Sequence, residues 1–272
     1  MSYYSGVSST LRPLEQLSDL GERPLVVSPH LDDAVWSTGA LLYELVAGGQ
    51  KPLVATVFTD SPPADLGLTT FAQEMHDKWG GSADEVWRQR QSEDRIALDH
   101  LQVESRNLGF LDAIYRDYVD ENLLAGELLE RDSELGARIV EQLEPLLTTD
   151  AAVVLPLAVG GHVDHLVCFE LHSILEPMVA RVLFYEDFPY MSRPGDETRR
   201  HEELATQGLH PVSYQLTIGD DALGVHQDAT ALYVSQVDGF FPTRSDLDRD
   251  VAWLLHTRFE DAPSPQITLW SL

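Results

Sequence analysis

Short, unbroken apolar runs constrain this chain most. Residues 25–27 (LVV), 53–58 (LVATVF), 152–157 (AVVLPL) and 182–185 (VLFY) are each too short for a core helix and carry no alternation of polar and apolar positions. A strand with one wet face alternates, whereas a strand covered on both faces reads as a continuous apolar run. Between the runs lie segments of helical character. Residues 40–46 are apolar and stop at Gly48-Gly49, and 84–101 places Val86, Trp87, Ala97, Leu98 and Leu101 on one face. Residues 134–147 and 166–179 are further helix candidates. Strand–helix alternation of this kind predicts an α/β fold with a mostly parallel central sheet between helical layers, joined by right-handed crossovers.

From about residue 188 the rhythm changes. A Pro-Gly and Arg-rich loop leads to an alternating strand at 212–218, a helix at 222–237 and a last strand at 266–270. These read as a C-terminal antiparallel extension of the same domain. The expected organisation is one domain over 1–272, with residues 1–22 as a loose N-terminal arm and about 188–272 as its C-terminal part. A chain of 272 residues buries a substantial core without disulfides.

Charge narrows the partners. Forty-five acidic against 18 basic residues leave a net charge of −27 and no basic run, which argues against nucleic acid and against anionic membranes. One cysteine, Cys168, excludes a disulfide framework. No apolar stretch approaches the ~20 residues that span a bilayer, and the first residues lack the basic and apolar regions of a signal peptide. A cytoplasmic location is the expectation.

In an open α/β sheet, ligands bind beyond the carboxyl ends of the strands. Two such ends are crowded with metal-type side chains: Ser28-Pro29-His30-Leu31-Asp32-Asp33 after the first run, and Gly160-Gly161-His162-Val163-Asp164-His165 after the third. A catalytic zinc takes three His or carboxylate ligands and keeps one position open for water, with a further carboxylate as base. His30, Asp33 and His165 fill the ligand roles, Asp32 that of base and His162 that of acid, with Asp164 holding the His162 imidazole in one tautomer. An aspartate at 32 or 33 would also cap the following helix, and His165 would also serve as a core histidine.

The paired segments SPHLDDA and GGHVDH resemble the signatures of the PIG-L/LmbE family of metal-dependent de-N-acetylases, which read A-H-P-D-D-E and H-P-D-H. The resemblance covers roughly residues 25–188 and implies a Rossmann-like three-layer sandwich. It implies zinc bound by His30, Asp33 and His165, one ion per chain, with ferrous iron as the alternative in the cell. It assigns Asp32 as general base and His162, supported by Asp164, to the tetrahedral intermediate and leaving amine. Imidazolium His162 and the metal would then stabilise the oxyanion. The implied activity is removal of an N-acetyl or N-acyl group from a small-molecule amino sugar or sugar conjugate, in particular as a tailoring step on a glycosylated natural product. The alternative is a catalytically impaired metal- or carbohydrate-binding protein of the same fold. Departures from the family pattern are Leu31 for Pro, Ala34 for Glu, and Gly160-Gly161 where some members carry an oxyanion-stabilising Tyr.

Other residues carry weaker signals. Arg90 and Glu93 match an R-x-x-E element of the family; Arg90 is a substrate contact on one reading and an ion-pair partner of Asp94 on the other. Asp60, at the end of the second strand, is a substrate-binding or turn-capping residue. Residues 185–190 (YEDFPY) form a sugar-facing rim or plain core. The long insertion at 61–82 is expected to shape the specificity pocket. Cys168 reads as packing, and His76 and His100 as surface residues on helices.

Overall fold

The structure is a computed structural model that describes residues 14–63, 65–119, 123, 127–259 and 262–272. Seven strands form one sheet: β1 (Leu25–Ser28), β2 (Leu53–Thr56), β3 (Glu104–Asn107), β4 (Ala152–Pro156), β5 (Arg181–Tyr185), β6 (Val212–Thr217) and β7 (Gln266–Ser271), in the order β3-β2-β1-β4-β5-β7-β6. The first five strands run parallel, with Leu25 opposite both Leu53 and Val153. β7 runs antiparallel to both β5 and β6, so the C-terminal part extends the same sheet.

The apolar runs do what continuous runs imply. Val26, Val54, Val154 and Leu183 pack into one core with Trp36, Leu41, Leu98 and Leu101. Their neighbours Leu25, Val27, Ala55, Val153, Leu155 and Phe184 pack into a second core with Ile139, Leu143, Val167 and Phe169. The helices behind these cores are α1 (Asp33–Ala47) and α3 (Ala83–Leu101) on the first face, with α4 (Leu135–Leu143) and α5 (Val163–Glu170) on the second. Both faces of the central strands β1, β2 and β4 are therefore dry, and each fully buried Leu or Val contributes roughly 1.5–3 kcal/mol relative to an exposed one.

Some expectations shift. The N-terminal arm is packed from residue 14 on: Leu14 is buried, and the 3-10 turn Leu17–Leu20 inserts Leu20, fully buried, into the first core; residues 1–13 lie outside the described residues. The helix expected at 222–237 is two, Asp220–Thr230 and Val234–Phe240. The strand β3 (ESRN) gave no apolar signal because it is an edge strand with three exposed residues. The polar helix Asp196–Thr206 lies where a loop was expected. The insertion at 61–82 contains a further helix, α2 (Thr70–Trp79).

The strand order reverses direction at β1: the chain moves outward to β2 and β3, then returns to β4 on the other side. Such a switch point leaves a crevice between the loops leaving β1 and β4. Both histidine–aspartate segments sit there.

Candidate active site

The loop after β1 is held by its own hydrogen bonds. Ser28 Oγ donates to the His30 carbonyl (2.6 Å) and accepts from the Ala34 amide (2.9 Å). Asp33 Oδ2 accepts the His30 amide at 2.8 Å, which turns its carboxylate back over the loop. Asp32 occupies the N-cap position of α1 but makes no side-chain cap hydrogen bond, so its carboxylate is not spent on the helix. Ala34 packs into the first core, so no contact in this hydrogen-bonded loop depends on a carboxylate at that position. On the other loop His162 is the N-cap of α5, and its Nδ1 accepts the Asp164 amide at 3.1 Å.

Three side chains then converge. Asp33 Oδ2 lies 3.2 Å from His30 Nδ1 and 3.3 Å from His165 Nε2. The opposite nitrogen of each ring is committed to a buried carboxylate: His165 Nδ1 donates to Asp187 at 2.6 Å, and His30 Nε2 to Asp164 at 3.0 Å. Those bonds leave the inner nitrogens as acceptors facing a third acceptor. Only a cation reconciles the three, either added protons on the rings or a metal ion. His30, Asp33 and His165, all buried, offer ligand atoms within 4.8 Å of one another, as do His30, His162 and Asp164. Two imidazole nitrogens and one carboxylate oxygen, each imidazole braced by a carboxylate, are a donor set suited to catalytic zinc.

Titration follows the same geometry. Burial works against the His165 cation, but Asp33 and Asp187 outweigh it and raise its pKa to about 10. Burial opposes ionisation of Asp33 as well, yet His165 and His30 hold it well below the carboxylate range. Burial pushes Asp32 upward, opposed by the Arg90 guanidinium 3.6 Å away. Burial, with His30 adding to it, drives His162 well below its ordinary value. Burial thus disfavours the His162 cation, and the Asp164 amide on Nδ1 leaves Nε2 as the nitrogen that carries the proton of a neutral ring.

Asp164 differs from expectation in a second way. Its carboxylate does not touch His162; it accepts from His30, from the Ala113 amide (3.0 Å) and from Arg116 (2.7 Å). Asp164 sets the His162 tautomer through its backbone and braces His30 through its side chain. Arg116 in turn is paired with Asp132 at 3.0 Å.

A cavity of about 420 Å³ opens over these groups, lined by His30, Asp32, Asp33 and His162. Arg90 faces it, paired with Asp32 and stacked over Trp79 at 5.4 Å; the alternative pairing with Asp94 is not made, since Asp94 accepts from Tyr233 at 2.8 Å. Glu93 instead joins α3 to Ser235, accepting from its amide and hydroxyl. Asp60 is not brought to the cavity. It is exposed, its backbone bridges to the β3 loop at Leu111, and it borders an adjoining crevice of about 30 Å³ that shares Trp79, Arg90, Asp112 and Ile114 with the cavity. The insertion does supply wall, through Phe71, Met75, Lys78 and Trp79. His76 is not a surface residue: it is buried, and its Nε2 bonds the Tyr115 hydroxyl at 2.9 Å. Cys168 is buried packing, its thiol pushed upward by burial.

Sequence reasoning missed Asp112, 3.6 Å from His30 Nε2, because it follows the unrecognised β3. It also missed Asp187, which lay inside the 185–190 segment read only for its aromatics. In that segment Tyr185 and Phe188 are core, while Tyr190 lines the cavity, edge-on to His165. Gly160 makes room for it: a Cβ there would lie 2.7 Å from the Tyr190 ring, and φ is +93°.

The family described as "PIG-L: GlcNAc-PI de-N-acetylase" matches residues 25–174. A 2'-N-acetylparomamine deacetylase of Streptomyces fradiae is 36% identical over 170 residues, 62% of this chain and 57% of that protein; the match thus spans little more than half of that relative. The crystal structure of the zinc-inhibited form of teicoplanin deacetylase superposes with a TM-score of 0.73 at 27% identity, covering 91% of this chain and 97% of that one. That of the A40926 pseudoaglycone deacetylase gives 0.70 at 26% identity, covering 92% and 96%.

Proposed function

The chain belongs to the PIG-L de-N-acetylase family, and on that premise we propose that it is a zinc-dependent hydrolase that removes an N-acetyl group from an amino sugar or sugar conjugate, with a glycosylated natural product as the substrate class. The observation that carries this reading is the convergence of His30 Nδ1 and His165 Nε2 on Asp33 Oδ2, with each ring braced from behind by a carboxylate. These three residues are the proposed ligands. A zinc ion held there would polarise the amide carbonyl and lower the pKa of water toward ~7, and ferrous iron would serve the same ends in the cell.

Asp32 is the proposed general base, free of capping duty and within reach of Arg90. The guanidinium opposes the effect of burial and keeps the carboxylate available to accept a proton from the attacking water. His162 presents Nε2–H as a neutral donor. It can hydrogen-bond the oxyanion as the carbonyl becomes tetrahedral, while the proton that Asp32 takes from the water is the one that goes to the departing amine. The substrate class rests on the relatives, which are named as deacetylases of N-acetylparomamine and of teicoplanin. No helix of the described residues is long and apolar enough to cross a membrane, and a cytoplasmic enzyme is the proposed setting.

Metal analysis of protein purified without a His tag, wild type beside Asp33→Ala, tests the centre. About one equivalent of zinc in wild type, lost in the variant, is expected. Amine release from a panel of N-acetylated glucosaminides then tests the reaction. Zinc bound without turnover across the panel would mark a binding protein instead, and absence of metal from both forms would remove the centre altogether.

A further inference from the structure

The wall of the cavity is unlike the rest of the molecule. The chain carries 45 acidic residues against 18 basic, yet the cavity is lined by three of each: Asp32, Asp33 and Asp112 against Lys78, Arg90 and Arg193. All three carboxylates belong to the histidine cluster or lie beside it: Asp33 touches two rings, Asp112 lies 3.6 Å from His30, and Asp32 is held by Arg90. Beyond that cluster the charged side chains among the described residues of the wall are all cationic. Lys78 and Arg193 are exposed and have no carboxylate partner among the described residues; Arg193 instead lies over the Tyr190 ring at 4.7 Å. The remaining wall is aromatic and apolar, through Trp36, Phe71, Met75, Trp79 and Phe240. The Trp36 indole N–H and Arg90 Nε have no acceptor among the described residues, so the surroundings are rich in donors and poor in acceptors.

We infer that the part of the substrate flanking the N-acyl amino sugar is an aromatic aglycone bearing a carboxylate, and not a polyamine. This rests on the proposed deacetylase reading for which bond is cut, but the wall chemistry is a separate observation. An ammonium-rich ligand needs carboxylate acceptors, and beyond the histidine cluster the described residues of the wall offer none. It would meet Lys78 and Arg193 as like charges. An aromatic carboxylate stacks on Trp79 and Phe240 and reaches unpaired cations at the mouth.

Three matched aryl N-acetyl-glucosaminides test this with the zinc-loaded protein: 4-carboxyphenyl, phenyl and 4-(aminomethyl)phenyl. Calorimetry gives their affinities and amine release gives kcat/KM. The expected order is carboxyphenyl, phenyl, aminomethylphenyl, with up to about fivefold per exposed cation engaged. In the double variant Lys78→Ala/Arg193→Ala the carboxyphenyl-to-phenyl ratio should fall to near one. Equal or tighter binding of the aminomethyl compound, or a carboxyl preference that survives the double variant, overturns the inference. Binding in the expected order without amine release would uphold it while refuting the hydrolase reading. Turnover with the reverse order would do the opposite.

Discussion

Asp187 shows how much a single residue behind the cluster decides. Its carboxylate accepts from His165 Nδ1 at 2.6 Å through one oxygen and from the Val159 amide at 2.9 Å through the other. The amide contact ties it to the loop leaving β4, so the ring it holds is fixed relative to that loop as well. An asparagine keeps the volume but loses the charge, and its amide donor is mismatched to one of the two N–H groups. Asp187→Asn should therefore weaken zinc binding roughly 10–100-fold, the usual range for loss of a ligand's hydrogen-bonded brace. Competition for zinc against a chelator of known affinity measures this, and far-UV circular dichroism checks that the fold persists. Unchanged zinc affinity in a folded variant would mean His165 is oriented by packing alone.

At the scale of elements, α3 binds the C-terminal helices to the sheet through buried acids. Tyr233 donates to Asp94 at 2.8 Å, and Ser235 donates to Glu93 through both amide and hydroxyl. Burial raises the Asp94 pKa to about 7 in spite of the Tyr233 bond. The unfolded chain releases this proton near 3.8, so the native state binds more protons between about pH 4 and 7. Stability from this group is full below that window and is lost as pH rises through it, by about 4 kcal/mol at 1.36 kcal/mol per pKa unit. Asp94→Asn should flatten this fall while its oxygen keeps the tyrosine bond. Urea unfolding at pH 5 and pH 8 reads the difference, and an equal pH slope in variant and wild type would refute it. The strands around which these elements pack were legible because they are covered on both faces. β3 was not, since an exposed edge strand carries no hydrophobic pattern, and the helix Asp196–Thr206 was hidden by its polar composition. The same split governs the site. His30, Asp32, Asp33, His162, Asp164 and His165 lie in two compact segments that anyone reading the chain meets together. Asp112 and Arg116 come from the connection after β3 and Asp187 from the one after β5, and they join the cluster only when the sheet order sets these strands on either side of β1 and β4.

For the whole molecule the dominant fact is its charge of −27. Exposed pairs such as Arg88 with Asp84 and Arg244 with Asp228 offset part of it, but each is worth only about 0–1 kcal/mol. The excess carboxylates have no cations to meet and repel one another in the compact state more than in the expanded chain. Salt screens both effects, with a Debye length near 10 Å at 0.1 M and 3 Å at 1 M. The attractive pairs are few and already close, whereas the repulsion is spread over distances that salt does reach, so screening should stabilise. Raising sodium chloride from about 0.02 to 0.5 M is expected to lift Tm by roughly 2–6 °C, corresponding to about 1–2 kcal/mol for a chain of this size. Scanning calorimetry with both sodium and potassium chloride at fixed zinc separates screening from specific ion binding, since screening is blind to the monovalent cation. A flat or falling Tm would show that the surface ion pairs outweigh the net charge. The same screening should leave the preference for a carboxylated substrate weaker at high salt, because Lys78 and Arg193 are exposed to it while the buried histidine cluster is not.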